Sequence, residues 1–253
     1  MNIQALKCEL ADIKHLRDLF LHEANFQFVH NKCHLYGWAD TYQLMLDGIL
    51  AGYGSVWGED ERGNRNCIFE FYLLPPYRKY ASAAFTQLLA ASKAPYVESQ
   101  TNDALLSSMV FEFTQNINAE SILFHDSYTT KLVIAGAEFK PKLPADPNPY
   151  NREFELEHNG IVVATGGFLM NYNHPYADIY MDVHEDHRQK GYGSFIVQEL
   201  KREIYVIGKV PAARCNVNNG KSKSTLMKAG FAICGHWLKG DVKDNFKATP
   251  TSI

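Results

Sequence analysis

The stretch from Ala177 to Ser194 constrains this chain more than any other. Ala177-Asp178-Ile179-Tyr180-Met181-Asp182-Val183 alternates apolar residues with polar or aromatic ones, the pattern of a strand with one buried face. A polar turn, His184-Glu185-Asp186-His187, leads into Arg188-x-x-Gly191-x-Gly193. From Ser194 the period becomes helical, with Phe195, Ile196, Leu200 and Ile204 at helical spacing. A strand that passes through a glycine turn into a helix leaves unpaired N–H groups at the helix start. Glycine at both positions lets the backbone come close to a bound group. Successive amides then form an anion-sized nest, reinforced by the helix dipole. Arg188, Gln189 and Lys190 add donors. The expected guest is a phosphate or diphosphate, and the structural alternative is an ordinary strand-to-helix turn.

Two other phosphate motifs are excluded. Gly191-x-Gly193-x-x-Ile196 has isoleucine where the dinucleotide fingerprint needs its third glycine. Gly220-Lys221-Ser222 resembles the end of a nucleoside-triphosphate loop, but Cys215 stands where that loop requires its first glycine. Downstream, Pro211 to Val217 reads as a short strand. Asn219 is placed to cap a helix over Lys221–Ala229, and Gly230 is placed to end it. Phe231 to Leu238 reads as another strand.

Together these residues resemble the GNAT superfamily of acyl-coenzyme A-dependent N-acyltransferases. Its signature, Arg/Gln-x-x-Gly-x-Gly/Ala after a fourth strand, then an Asn-initiated helix ending in Gly-Phe, is matched by Arg188, Gly191, Gly193, Asn219, Ser222, Gly230 and Phe231. The match covers about residues 152 to 240. The resemblance implies that the amides of Gln189, Lys190, Gly191, Tyr192, Gly193 and Ser194 hold a coenzyme A diphosphate. It also implies that Val183 meets the pantetheine arm and acyl carbonyl, and that Asn219 and Ser222 line the same molecule. One departure stands out: Leu226 occupies the place where many members carry a tyrosine that protonates the departing thiolate.

The remainder of the chain supplies context. Its 253 residues suffice for one large domain or two small ones, and a net charge of −3 points to neither nucleic acid nor an anionic membrane. No apolar run is long enough to span a bilayer, and Met1 to Glu9 does not read as a leader. Cys8, Cys33, Cys67, Cys215 and Cys234 include no Cys-x-x-Cys pair, so reduced thiols in a cytoplasmic protein are expected. Residues 1 to 10 read as a strand and Asp12–Ala24 as an amphipathic helix. Asp47-Gly48 and Asn159-Gly160 each sit between strand-like runs and predict tight hairpins, with Gly54 and Gly166 at matching offsets.

These echoes suggest a duplication with an offset of about 110 residues. Phe71 to Ala83 parallels Met181 to Gly193, with Arg78 opposite Arg188. Gln100 to Asp103 parallels Asn216 to Asn219, and Leu132-x-x-x-Gly136 parallels Leu226-x-x-x-Gly230. The expected architecture is α/β, two tandem GNAT folds, each a mixed, mostly antiparallel twisted sheet flanked by helices and splayed at its central strands. Residues 1–140 form a degenerate first domain, 141–151 a Pro-rich linker and 152–253 the domain with the cofactor site. Ala81 and Ala83 replace the turn glycines in the first half, and Pro75-Pro76 removes amide donors. The second half shows no counterpart of the N-terminal strand and long helix, so the first half is expected to complete its acceptor site. The tail from Asp241 onward reads as frayed.

The expected reaction is acyl transfer, with acetyl-coenzyme A as donor, to a primary amine: a small molecule, an aminoacyl group or a peptide amine. An alkyl amine is protonated at neutral pH (reference pKa about 10), so a base must take its proton before it attacks. Asp178, Asp182 and His184 are the base candidates, each with a structural alternative as a solvated strand or loop residue. Tyr172, Tyr176 and Tyr180 are candidates for the acceptor pocket or, equally, half-buried strand aromatics. His184, Asp186 and His187 lack a third ligand at suitable spacing, so no metal is expected. The alternative function is a non-catalytic acyl-coenzyme A-binding sensor. The sequence leaves the oligomeric state open.

Overall fold

The computed structural model describes residues 1–23, 26–28, 31–58 and 61–246. Its elements run β1 (Ile3–Cys8), α1 (Leu10–Glu23), α2 (Asn31–Leu35), β2 (Ala39–Leu46), β3 (Ile49–Trp57), β4 (Cys67–Leu73), α3 (Ala81–Ser92), β5 (Tyr96–Gln100), α4 (Ala104–Phe113) and β6 (Thr114–Asp126). There follow β7 (Ala137–Pro141), β8 (Asn151–His158), β9 (Ile161–Leu169), β10 (Tyr176–Val183), α5 (Tyr192–Val206), β11 (Val210–Asn216), α6 (Gly220–Lys228) and β12 (Phe231–Val242). The predicted strands and helices thus form close to where the period places them. The last residue of the predicted first helix, Ala24, lies outside the described residues.

The chain forms two compact units. Residues 1–26, 30–120 and 236–253 make the first, and residues 27–29 and 121–235 the second. Strands of the first are ordered β1-β2-β3-β4-β5-β12, and those of the second β6-β11-β10-β9-β8-β7. Each sheet is antiparallel apart from one parallel pair, β4 with β5 and β10 with β11. The first core gathers Leu44, Ile68, Phe71, Phe85, Leu88 and Phe113; the second gathers Phe124, Leu156, Phe168, Ile196, Leu200 and Phe231.

The units repeat one another closely. Asp47 and Gly48 (φ 47° and 80°) and Asn159 and Gly160 (φ 52° and 78°) make the two hairpin turns with both central residues left-handed, as a primed turn requires. Both hairpins carry a register shift, at Leu44/Met45 and at Leu156/Glu157. Gly54 packs under Leu88 and Gly166 under Leu200, where a Cβ would stand 2.3 Å and 3.1 Å from the leucine methyls. Asp103 caps α4 by accepting from the Leu106 N–H at 3.1 Å; Asn219 caps α6 by accepting from the Ser222 N–H at 3.0 Å.

Four expectations need correction. The predicted linker, Pro141 to Asn151, is a hairpin connection: Pro141 ends β7, Asn151 begins β8, and these strands pair from Ala137↔His158 to Pro141↔Phe154. That pairing repeats Ile3↔Leu46, so β7 is the counterpart of β1 that the second half was expected to lack, whereas α1 has none. The parallel drawn through Leu132 and Gly136 also fails, because no helix runs through those residues. Asp241 and Val242 belong to β12, with Val242 fully in the core and the Phe246 ring tilted against Phe113; residues 247–253 lie outside the described residues.

The unit boundary falls inside two strands. After α4 the chain enters β6, whose Ser121–His125 segment pairs with β11 of the second unit. After α6 it enters β12, whose Trp237–Asp241 segment pairs with β5 of the first. Each half thus gives its last strand to the other unit.

Candidate functional site

The site is built where β10 and β11 part company. They pair in parallel from Tyr176↔Val210 to Ile179↔Ala213, and no further. Beyond Ile179, β10 stays paired with β9 through Val183↔Ala164. The His184 N–H donates to the Val163 carbonyl on the β9 side (3.0 Å). Strand groups alternate sides, so the amides of Met181 and Val183 face the edge that β11 has left.

A short 3-10 turn, Glu185–His187, carries the chain from β10 to the start of α5. Gln189 and Gly191 are left-handed there (φ 64° and 88°). For Gly191 the constraint is this backbone conformation, since a Cβ would meet nothing closer than Ile134 at 4.0 Å. Gly193 is constrained differently: a Cβ there would stand 3.1 Å from the Thr225 methyl and 3.4 Å from a Val183 methyl. It brings α5 close to β10 and α6. The Phe195 N–H donates to the carbonyl of the N-cap Gly191 (3.1 Å), so the amides of Tyr192, Gly193 and Ser194 sit in the first turn, with no helical carbonyl below them to bond.

These elements enclose a groove of about 650 Å³. Its lining includes Asp182, Val183, Arg188, Gln189, Gly191, Tyr192, Gly193, Ser194, Asn219 and Ser222, all named from the sequence. It does not include Lys190, whose ammonium donates to the Asp186 carbonyl (3.0 Å), nor His184 or Asp178. Arg188 acts as a tie: its Nε donates to the Val183 carbonyl (3.0 Å), fixing the strand end to the turn. Ser194 donates its hydroxyl to the Thr225 carbonyl (3.2 Å), joining the two helices that wall the groove.

Asp178, Tyr180 and Asp182 share one face of β10 by alternation, opposite the face that packs on α5. Along it they meet different partners. Asp178 is buried and paired with Arg214 on β11 (3.4 Å), whose guanidinium lies over the rings of Phe28 and Tyr172 and bonds the Tyr172 hydroxyl. Tyr180 donates to Asn151 (2.8 Å). Asp182 is largely exposed at the groove rim, 3.8 Å from Arg188. Tyr172 and Tyr176 are buried, and burial raises the Tyr176 phenol above its ordinary pKa.

Several groove residues escaped the sequence reading. Lys221, Ser224, Thr225 and Lys228 all line it, and His187 joins them from the turn. The signal was present: Lys221, Ser224 or Thr225, and Lys228 recur at helical spacing on one face of α6. Two ammonium groups in a groove with open helix amides suit a polyanion. Leu226 points the other way, into the second core, 4% exposed.

Comparison with known proteins fits this geometry. Residues 9–127 match the family model for an acetyltransferase (GNAT) domain, and residues 173–237 match the FR47-like protein model. This chain belongs to the GNAT superfamily. Solved structures share the fold. A GNAT-family acetyltransferase from Colwellia psychrerythraea is 14% identical, covering 96% of this chain and 100% of its own, with a TM-score of 0.75. A tandem GNAT protein from the clavulanic acid biosynthesis pathway is 10% identical over 95% and 98%, TM-score 0.61. A GCN5-related N-acetyltransferase from Sphaerobacter thermophilus is 12% identical over 95% and 96%, TM-score 0.59. No curated protein matches the chain.

The superfamily consists of acyl-coenzyme A-dependent N-acyltransferases, so an acyl donor with a diphosphate is implied. The residues present fit such a group: a left-handed turn, first-turn amides and two lysines converge on one groove. The match named for a GNAT domain falls on the first half, which has no such turn. Among the described residues no helix is long and apolar enough to cross a membrane.

Proposed function

We propose that the protein transfers an acyl group, most readily acetyl, from acyl-coenzyme A to a primary amine, in the groove of the second unit. The carrying observation is the left-handed pair Gln189 and Gly191 at the end of a strand whose neighbour has parted from it. Amides from Gln189 to Ser194 hold the donor diphosphate, with Lys221 and Lys228 balancing its charge. Asn219 orders the helix that carries them, and Ser222 lines the same wall.

In the transfer, the amine nitrogen bonds the thioester carbonyl carbon and the carbon–sulfur bond breaks. The amine proton goes to a base, and the thiolate leaves to be protonated. Asp182 is the base this reading favours, because it lines the groove and is exposed to the water that would relay the proton. Asp178 supports the reaction less directly, holding Arg214 beside the opened strands. The Val183 N–H faces the opened edge and is placed to stabilise the tetrahedral oxyanion. The first unit serves as a scaffold without a donor site. Five free thiols suit the reducing cytoplasm.

A second reading, a non-catalytic acyl-coenzyme A sensor, draws on Leu226, a core residue where many members place the thiolate's acid. Coenzyme A release with acetyl-coenzyme A and a panel of small, aminoacyl and peptide amines tests both. Turnover on any amine supports the transferase. Calorimetric binding of acetyl-coenzyme A without turnover selects the sensor, and no binding overturns both.

A further inference from the structure

Tyr192, between the two turn glycines, turns its hydroxyl inward. The residue is 6% exposed, and its hydroxyl lies 3.0 Å from Nδ1 of His158, the last residue of β8. The other ring nitrogen, Nε2, is 3.1 Å from the Ala135 carbonyl. A carbonyl can only accept, so Nε2 carries the proton, Nδ1 is the acceptor and Tyr192 donates. His158 therefore bridges the donor turn to residues 127–136, the connection from β6 to β7.

That connection is itself tied down. The Ser127 and Tyr128 N–H groups donate to the Gly230 carbonyl (3.0 and 3.1 Å). The buried Lys201 ammonium donates to the carbonyls of Tyr128 (2.9 Å) and Ala229 (2.8 Å). The buried Gln198 amide accepts from the Leu132 N–H (2.6 Å) and donates to the Leu132 carbonyl (3.1 Å). His158 thus leans on a fixed point. In the first unit the matching positions are Leu46, buried in the core, and Ser82, which donates to Glu112 (2.7 Å). No such bridge exists there, and no left-handed turn needs one.

We infer that His158 is a positioning residue for acyl-donor binding: by holding the Tyr192 hydroxyl against an anchored strap it fixes the amides from Gly191 to Ser194. This rests on the donor site proposed above. Calorimetry and steady-state kinetics on the full chain test it, with coenzyme A and acetyl-coenzyme A as probes. His158→Ala weakens coenzyme A about fivefold, the order expected for one neutral hydrogen bond. It raises KM for acetyl-coenzyme A by the same factor and leaves kcat at saturating donor unchanged. Tyr192→Phe weakens coenzyme A by the same factor, and the double variant is no weaker than either single one. His158→Asn, whose Oδ1 stands as far from Cβ as the imidazole Nδ1, recovers most of the loss.

Unchanged affinity in His158→Ala, multiplying losses in the double variant, or no recovery with asparagine overturns the inference. If the wild-type chain has no affinity for coenzyme A, the donor site itself falls. Amide hydrogen exchange then decides about His158 separately. Faster exchange of Gly191 to Ser194 in Tyr192→Phe and His158→Ala, with α6 unchanged, upholds the positioning role; unchanged rates end it.

Discussion

The two units carry the same strand-to-helix turn with opposite outcomes. Each opens from a residue of nearly identical conformation, Leu74 (φ −54°, ψ 140°) and His184 (φ −52°, ψ 140°). In each an arginine Nε donates to the carbonyl of the last strand residue, Arg78 to Leu73 (3.1 Å) and Arg188 to Val183 (3.0 Å). After that they diverge. Pro75–Tyr80 winds as a 3-10 helix into α3, and Ala81 follows in the right-handed region. The second turn breaks left at Gln189 and Gly191. Since the scaffold is the same, the difference in backbone hand at two residues separates a helix continuation from an anion cradle.

What the first unit holds in place of a cradle is a buried charge. Glu70 on β4 is met by Arg17 (2.9–3.2 Å), His34 (3.1 Å) and Tyr53 (3.2 Å), while Tyr180 stands at the matching place on β10. Burial alone would raise the Glu70 pKa, but the Arg17 charge and His34 outweigh it and hold the carboxyl well below the ordinary range. The largest effect we expect therefore lies in the first unit. Glu70→Ala strands Arg17 and costs about 3–5 kcal/mol in denaturant unfolding. The wild-type contribution is complete above the unfolded glutamate pKa of about 4.3 and fades as pH falls below it. If the units differ as argued, coenzyme A affinity of the folded fraction is unaffected.

The turn itself gives the next effect. Gly191→Ala forces a side chain into the left-handed region, which costs about 1–2 kcal/mol. Coenzyme A affinity should drop roughly tenfold, as the turn relaxes away from its cradle shape. Ala81→Gly in the first unit should leave binding as it was. Equal responses at the two sites, read by calorimetry, would erase the distinction between the turns.

The last comparison concerns the matched helix caps. Burial pushes the Asp103 carboxyl up to about 7, against the pull of the Leu106 and Leu105 amides. The folded state therefore binds this proton more tightly than the unfolded chain, and the wild type loses stability as pH rises from about 4 to 7. Asp103→Asn copies Asn219, an equally good cap, and removes that slope. Urea unfolding should show the variant more stable at pH 8 and no better at pH 4. A variant less stable at both values would mean that the charge is needed.

Much of this was readable in sequence because it is local. Asp47-Gly48, Asn159-Gly160, the Asn219 cap and the glycine turn each rest on residues a few positions apart, and the structure bears these readings out. What the sequence left out depended on distant partners. Asp178 and Asp182 lie on one face of a strand, and nothing within β10 says that Arg214 on β11 claims the first. After α6 the pattern announces a strand, but not which neighbour receives it. Leu132 and Gly136 copy a helix end by letter, without a helix before them.

The traded final strands also set a timetable for synthesis. β5 obtains its antiparallel neighbour from Trp237–Asp241, made long after it, so the N-terminal unit must wait on the ribosome with that edge bare. Cutting the gene between Pro141 and Asn151 would give two fragments, each lacking a strand that the other encodes, and sticky when made alone.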